Sequence, residues 1–127
     1  MSATPSTPTA RHTAALIQQG RLAADTVARA TLNHIAEADR SLGAFVCLPG
    51  PDAAAAQARQ LQQAGGPLAG VPVAVKDIFD TRDLATGYGS PIYPPWPALA
   101  DAAVVAVLRR AGGLVIGKSS TTEFAYL

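Results

Sequence analysis

Cysteine is nearly absent from this sequence, and its scarcity excludes several kinds of protein. Cys47 is the only cysteine among the 127 residues, so no disulfide can form within the chain. No Cys-x-x-Cys pair occurs, and His12 and His34 lie far apart, so we predict no metal site. A single free thiol fits a reducing compartment, and we expect a cytoplasmic protein.

Long apolar runs and net charge are lacking as well. The longest apolar run, residues 102–108, is too short to cross a bilayer, and residues 1–8 show no signal-peptide pattern. The formal net charge is +1 and Arg109-Arg110 is the only basic pair, so we predict no nucleic-acid partner and no membrane partner. Neither common glycine-rich phosphate-binding motif is present, and no cofactor is predicted.

Lysine is rare, because only two of the ten basic residues are lysines. Lys76 follows residues 71–75, whose β-branched run predicts a strand buried on both faces and started by Pro72. Lys118 follows the apolar residues 114–117 in the same way. Strand ends are where ligand-binding and catalytic groups collect in α/β sheets. From position alone, each lysine could bind an anion, form a Schiff base, act as a general base or extend its amine to solvent. For Lys118 we favour extension to solvent.

Helix and strand patterns alternate along the chain and predict an α/β fold. Residues 1–8 are predicted to be a flexible lead, and residues 9–127 to belong to one domain. Residues 78–100 are predicted to form a long irregular loop whose aromatic side chains pack onto the body. The predicted elements are helices over 9–19 and 23–38, a strand over 44–48, a helix over 51–64, a strand over 71–75, a helix over 102–111 with Asp101 as its N-cap, and a strand over 114–116.

Two ordered motifs resemble the amidase signature family. The first is GPLAGVPVAVKD at residues 66–77. The second is built from DAAVV at 101–105, LRRAGG at 108–113, IGK at 116–118 and EFA at 123–125. The resemblance covers roughly residues 9–127. It implies the N-terminal part of the family's α/β/α fold, with a mixed, mostly parallel sheet flanked by helices and left incomplete.

The resemblance implies hydrolysis of amide bonds by a serine nucleophile, a second serine held by a cis peptide, and a lysine. Lys76 is the residue that matches the catalytic lysine, which acts unprotonated as the base and is favoured by burial at the strand end. The family places both serines beyond its Glu-Phe-Ala motif, so their expected position lies past Leu127. We interpret Ser119-Ser120 and Ser90 as loop residues and not as the nucleophile.

We therefore expect an N-terminal fragment of an amidase that acts on a small-molecule amide and is inactive alone. The first alternative is a fragment of the glutamine-hydrolysing subunit of a tRNA-dependent amidotransferase, which releases ammonia from glutamine. The second alternative, of another class, is a short non-catalytic binding protein. The acyl group of the substrate and the oligomeric state stay open. Apolar faces at 71–75, 104–111 and 114–116 are expected to be exposed, giving poor solubility or a molten state.

Overall fold

The computed structural model describes residues 8–126, so the predicted flexible lead lies outside the described residues except for Pro8. A three-stranded sheet is flanked by four helices. The elements are α1 (Ala10–Gln18), α2 (Ala24–Leu42), β1 (Phe45–Cys47), α3 (Pro51–Ala64), β2 (Pro72–Lys76), α4 (Ala103–Arg110), β3 (Leu114–Ser119) and a short turn at Glu123–Ala125. None of the four helices is both long and apolar enough to cross a membrane.

Local signals account for most helix bounds. Thr9 caps α1, because its hydroxyl accepts a hydrogen bond from the N–H of His12 at 3.2 Å. Pro51 opens α3 at the first helical position, as predicted. The second helix runs to Leu42, four residues further than predicted, and ends where Gly43 turns left-handed with φ of 61°.

Strand β3 lies at the centre of the sheet, in the order β1-β3-β2. It pairs in parallel with β2 and antiparallel with β1, so the predicted mixed sheet is confirmed. Pro72 is the first residue of β2, where its missing N–H costs no ladder bond. The strand predicted at 114–116 continues to Ser119, so Lys118 lies within the strand and not beyond its end.

The two faces of the sheet bury separate cores, because neighbouring residues of β3 point in opposite directions. Leu114 and Ile116 pack with α1, α2 and α3. Val115 packs with Val75 of β2 and Val105 of α4. Helices α2 and α3 meet through fully buried alanines, which lets their backbones approach closely. These are Ala24, Ala28, Ala54, Ala55 and Ala58.

Three expectations are corrected by the fold. Residues 114–116 are buried and not exposed, because β3 has helices over both faces. Strand β2 is not buried on both faces: Ala74 and Lys76 are exposed, since β2 is at the sheet edge within the described residues. Asp101 is not the N-cap of α4; Ala102 holds that position without a side-chain bond.

The outer face of α4 stays apolar and open, since Val104 and Val107 are each 55% exposed. We expect the 127-residue chain on its own to self-associate through this face. The double variant Val104→Gln/Val107→Glu should shift the sedimentation coefficient toward the monomer. Leu42→Gln, which removes an exposed leucine from α2, is the matched control and should leave association unchanged. A parent chain that sediments as a monomer contradicts the expectation.

Candidate active site at the end of strand β2

Lys76 is the last residue of β2, and the chain leaves the sheet directly after it. The carbonyl oxygen of Lys76 accepts hydrogen bonds from the N–H groups of Ile78 at 2.7 Å and Phe79 at 3.0 Å. These bonds close a tight turn that ends the strand. The predicted placement of Lys76 at a strand end is therefore confirmed.

An apolar groove of about 350 Å³ opens beside Lys76, between β2 and α4. Its lining is Val73, Ala74, Val75, Lys76, Phe79, Val104, Val105 and Leu108. Lys76 is exposed, and within residues 8–126 its amine makes no hydrogen bond and no ion pair. The expected burial of this lysine is wrong for the described part of the chain, because β2 is an edge strand there. Lys76 nevertheless supplies the only ionisable side chain among the groove residues.

Asp77, one residue further, is buried and holds three segments together. Its N–H donates to the carbonyl of Ser119 at 2.9 Å, and its carbonyl accepts from the N–H of Tyr88 at 3.0 Å. Its carboxylate accepts from the N–H of Gly87 at 3.1 Å through Oδ2. The other oxygen, Oδ1, lies 3.2 Å from Nζ of Lys118; it forms an ion pair without hydrogen-bond alignment. Asp77 thus ties the end of β2 to β3 and to the following loop.

Lys118 is fully buried, with 0% exposure, which makes its predicted extension to solvent wrong. Its Nζ donates to Oγ1 of Thr86 at 2.6 Å and faces the carboxylate of Asp77. We call these three residues, Asp77, Thr86 and Lys118, the Lys118 cluster. The side chain is buried because β3 is the central strand and the loop after β2 folds over it. A buried ammonium must be paired, since an isolated one is strongly destabilised.

Gly87 lets the loop come close to this cluster. A Cβ added at Gly87 would lie 3.2 Å from Oδ2 of Asp77, the oxygen that its own N–H contacts. Next to it, Thr86 exchanges backbone hydrogen bonds of 2.9 and 2.7 Å with Trp96. The irregular loop is therefore anchored at its middle, where it meets the sheet.

Arg109 fastens the two ends of the same loop. Its guanidinium lies 2.6 Å from Oδ1 of Asp83 and 3.1 Å from Oδ2 of Asp101, and its side chain is only 9% exposed. Asp101 also accepts from the N–H of Arg82 at 2.9 Å. The sequence pattern predicts Asp101 as the N-cap of α4 and gives no signal that Arg109 is its partner. Their pairing across α4 was missed, because only the fold brings them together.

Two aromatic residues of the loop, Tyr88 and Tyr93, contact the turn at Glu123–Ala125, whereas Trp96 is 59% exposed, so the predicted packing holds only in part. The rings of Tyr88 and Tyr93 lie 6.3 and 5.7 Å from that of Phe124. Tyr88 and Phe124 both have left-handed backbones, with φ of 57° and 50°, and the N–H of Phe124 donates to the carbonyl of Tyr88 at 2.8 Å. Such strained backbones in non-glycine residues cluster at functional sites. The phenol of Tyr88 donates to Asp80 at 2.9 Å, and this bond, followed by partial burial, raises the pKa of Tyr88.

The three serines discussed above, Ser90, Ser119 and Ser120, make hydrogen bonds with other residues and none with the amine of Lys76. Ser90 is buried; its hydroxyl donates to Glu123 at 2.5 Å and accepts from the N–H of Ile92 at 3.2 Å. Ser119 ends β3, and the N–H of Ser120 donates to the carbonyl of Ala44 at 2.8 Å. Between Pro8 and Tyr126, no serine hydroxyl is bonded to Lys76. In the same part of the chain, no group of three or more His, Cys, Asp or Glu side chains is placed to hold a metal ion.

Comparisons with known proteins identify a family and relatives that this chain resembles. The profile of the family described as Amidase matches residues 26–127. The glutamyl-tRNA(Gln) amidotransferase subunit of Mycobacteroides abscessus is 42% identical over 118 residues, which covers 88% of this chain and 24% of that protein. The corresponding protein of Acidothermus cellulolyticus is 41% identical over 122 residues, with coverages of 92% and 24%.

Solved structures share the fold. The native peptide amidase of Stenotrophomonas maltophilia superposes with a TM-score of 0.78 at 33% identity, over 91% of this chain and 25% of its own. The chain therefore spans about a quarter of the length of the relatives it matches. The α/β/α arrangement expected from the sequence motifs is confirmed for this portion.

The Lys118 cluster should dominate the stability of the sheet. Lys118→Met leaves the carboxylate of Asp77 buried without its cation, and we expect a loss of about 3–5 kcal/mol in unfolding free energy. Adding Asp77→Asn removes the stranded charge and should recover part of that loss. Urea unfolding in the Val104→Gln/Val107→Glu background, followed by the fluorescence of Trp96, the only tryptophan, measures it.

The other lysine provides the control. Lys76→Met removes an exposed, unpaired amine and should change the unfolding free energy by no more than about 0.5 kcal/mol. Equal losses for the two lysine variants, or a double variant whose loss is the sum of the single losses, contradict the expectation.

The raised pKa of Tyr88 gives a pH dependence. The folded chain holds the phenol proton of Tyr88 more tightly than the unfolded chain, in which tyrosine titrates at about pH 10. This stabilisation is complete below that pH and is lost as the pH rises through the folded pKa. Tyr88→Phe should remove the late component of the ultraviolet phenolate titration, and Asp80→Asn should move it to lower pH. Tyr126→Phe, at an exposed tyrosine, should leave it in place; an unchanged titration in both site variants contradicts the assignment.

Proposed function

Because the chain belongs to the amidase family, we propose that it forms the N-terminal part of an enzyme that hydrolyses carbon–nitrogen amide bonds, with Lys76 as its catalytic lysine. The observation that carries this proposal is the contrast between the two lysines. Lys118 is buried and committed to Asp77 and Thr86. The amine of Lys76 is uncommitted among the described residues and lines the groove at the end of a parallel strand.

Lys76 serves as the base in the reaction that the family resemblance implies. Its unprotonated amine accepts a proton from the bridging serine, which in turn accepts the proton of the nucleophilic serine. The nucleophile oxygen bonds to the amide carbonyl carbon, the C–N bond breaks, and the proton passes back to the departing amine. Water then hydrolyses the acyl ester. Both serines come from chain outside residues 8–126, and so does the remaining cover that desolvates Lys76.

The groove supports this role for Lys76. Val73 and Val75 on one side and Val104 and Leu108 on the other give an apolar wall next to the amine. This wall leaves the amine in contact with apolar side chains on the groove side and with no polar partner among the described residues. We propose a small-molecule amide as substrate and the cytoplasm as location.

A second candidate is the glutamine-hydrolysing subunit of a tRNA-dependent amidotransferase. It is favoured by the two curated relatives at 42% and 41% identity, both of which are named as glutamyl-tRNA(Gln) amidotransferase subunits. The peptide amidase at 33% identity favours a plain amidase instead. The rate of ammonia release from glutamine, compared with the rate from simple carboxamides, distinguishes the two candidates. Faster release from glutamine favours the amidotransferase subunit, and faster release from carboxamides favours the amidase.

The first experiment is the intact mass of the product in source cells, detected with an antibody to residues 51–64. A product several times larger than 13.0 kDa supports the enzyme proposal. A product of 13.0 kDa that hydrolyses no amide supports a non-catalytic binding protein and overturns it.

In the full-length enzyme, Lys76→Met should lower kcat by at least about a thousand-fold, because the catalytic serines lose their base. The circular dichroism spectrum should stay unchanged, since Lys76 is exposed and makes no polar side-chain contact in the described region. Arg110→Met, which removes another exposed basic side chain, is the matched control and should keep full activity. Wild-type turnover in Lys76→Met refutes the assignment.

A further inference from the structure

Resting on the proposed function, we propose that Asp77 and Lys118 are positioning residues for Lys76, fixing the strand end from which its amine works. Lys76 itself lies at the sheet edge and is held by backbone contacts alone among the described residues. A long lysine side chain delivers its amine reproducibly only if the backbone below it is rigid. Placement errors of about 1 Å lower rates by about 100-fold in enzymes.

Asp77 supplies that rigidity through all of its polar groups. Its backbone N–H and C=O bind Ser119 and Tyr88, and its two carboxylate oxygens contact Gly87 and Lys118. The β2 ladder also ends here, because Lys76 is the last residue paired, opposite Ser119. The residue after Lys76 is thus locked to the central strand and to the loop at the same time.

Lys118 contributes from the central strand. Its ammonium is fully buried and joins Asp77 to Thr86 of the loop. Without it the carboxylate would lose its cation, and Thr86 would lose its side-chain bond to the central strand. Neither residue touches the groove, so both act through the backbone of Lys76 and not on the substrate.

The two opposite charges of the pair compensate each other next to Lys76. A carboxylate and an ammonium 3.2 Å apart leave no net charge one peptide unit from Lys76. Nearby carboxylates are bonded to neutral hydroxyls, Asp80 to Tyr88 and Glu123 to Ser90, and they are the same in every variant of the pair; Cys47 lies opposite Lys118 on β1. Removing one member of the pair therefore exposes Lys76 to one uncompensated charge.

The sign of that charge makes the proposal testable. In Asp77→Asn the remaining ammonium disfavours a second positive charge on Lys76, so the pH of half-maximal kcat should fall. In Lys118→Met the remaining carboxylate favours the protonated amine, so that pH should rise. The two displacements should therefore have opposite signs. The double variant is neutral again and should return to the wild-type midpoint.

The experiment measures kcat per titrated active site, KM, and the pH dependence of kcat for the full-length enzyme and its variants. We expect both single variants to lose about 10- to 100-fold in kcat with little change in KM, with midpoints displaced in opposite directions. A purely structural role would lower the melting temperature and the titratable fraction, yet leave kcat per site and the midpoint unchanged. That result overturns the proposal, as do midpoints that move in the same direction.

Lys76→Met, measured in parallel, separates this inference from the proposed function. If Lys76→Met keeps wild-type turnover, the assignment of the catalytic lysine fails and the inference fails with it. If Lys76→Met is inactive while Lys118→Met and Asp77→Asn match the wild type, only the inference fails.

Discussion

The structure of this chain depends on one buried ion pair, between Asp77 and Lys118. Each charge would be unstable alone in the interior, and together they join β2, β3 and the loop after β2 at one point. Apolar packing does not provide this junction, because the residues beyond β2 are irregular and rich in proline. Apolar packing forms the two cores, whereas the ion pair fixes the position of the loop across the end of the sheet.

The same loop is held at its ends by charge as well. Arg109 of α4 bridges Asp83 and Asp101 with little exposure to solvent. Asp77 holds the middle through Gly87 and Tyr88. A loop fixed at three places carries its aromatic side chains to the turn at Glu123–Ala125 without regular secondary structure. The left-handed backbones of Tyr88 and Phe124 are joined by a hydrogen bond between them.

Much of the fold could be predicted because proline and glycine mark its boundaries. Pro51 and the glycine at position 65 bound α3 at the predicted residues, and Pro72 starts β2 as expected. Strand order and burial could not be predicted, since both depend on contacts between distant parts of the chain. Lys118 shows this best: locally it resembles a lysine at a strand end, yet Asp77 and Thr86 lie 41 and 32 positions away. Lysine scarcity, the apolar run before it and the IGK segment of the second motif singled out its position, but none of these signals indicated its burial.

The two lysines follow similar apolar runs and end in opposite environments because their strands hold different places in the sheet. Lys118, on the central strand, is covered from both sides, and its amine is paired with Asp77 and Thr86. Lys76, on an edge strand, is left open and unpaired by the residues described. A fixed cation organises structure, whereas an amine that exchanges protons must be free of a permanent partner. Of the two lysines, only Lys76 is without a side-chain partner among the described residues, and the ion pair begins at the residue that follows it.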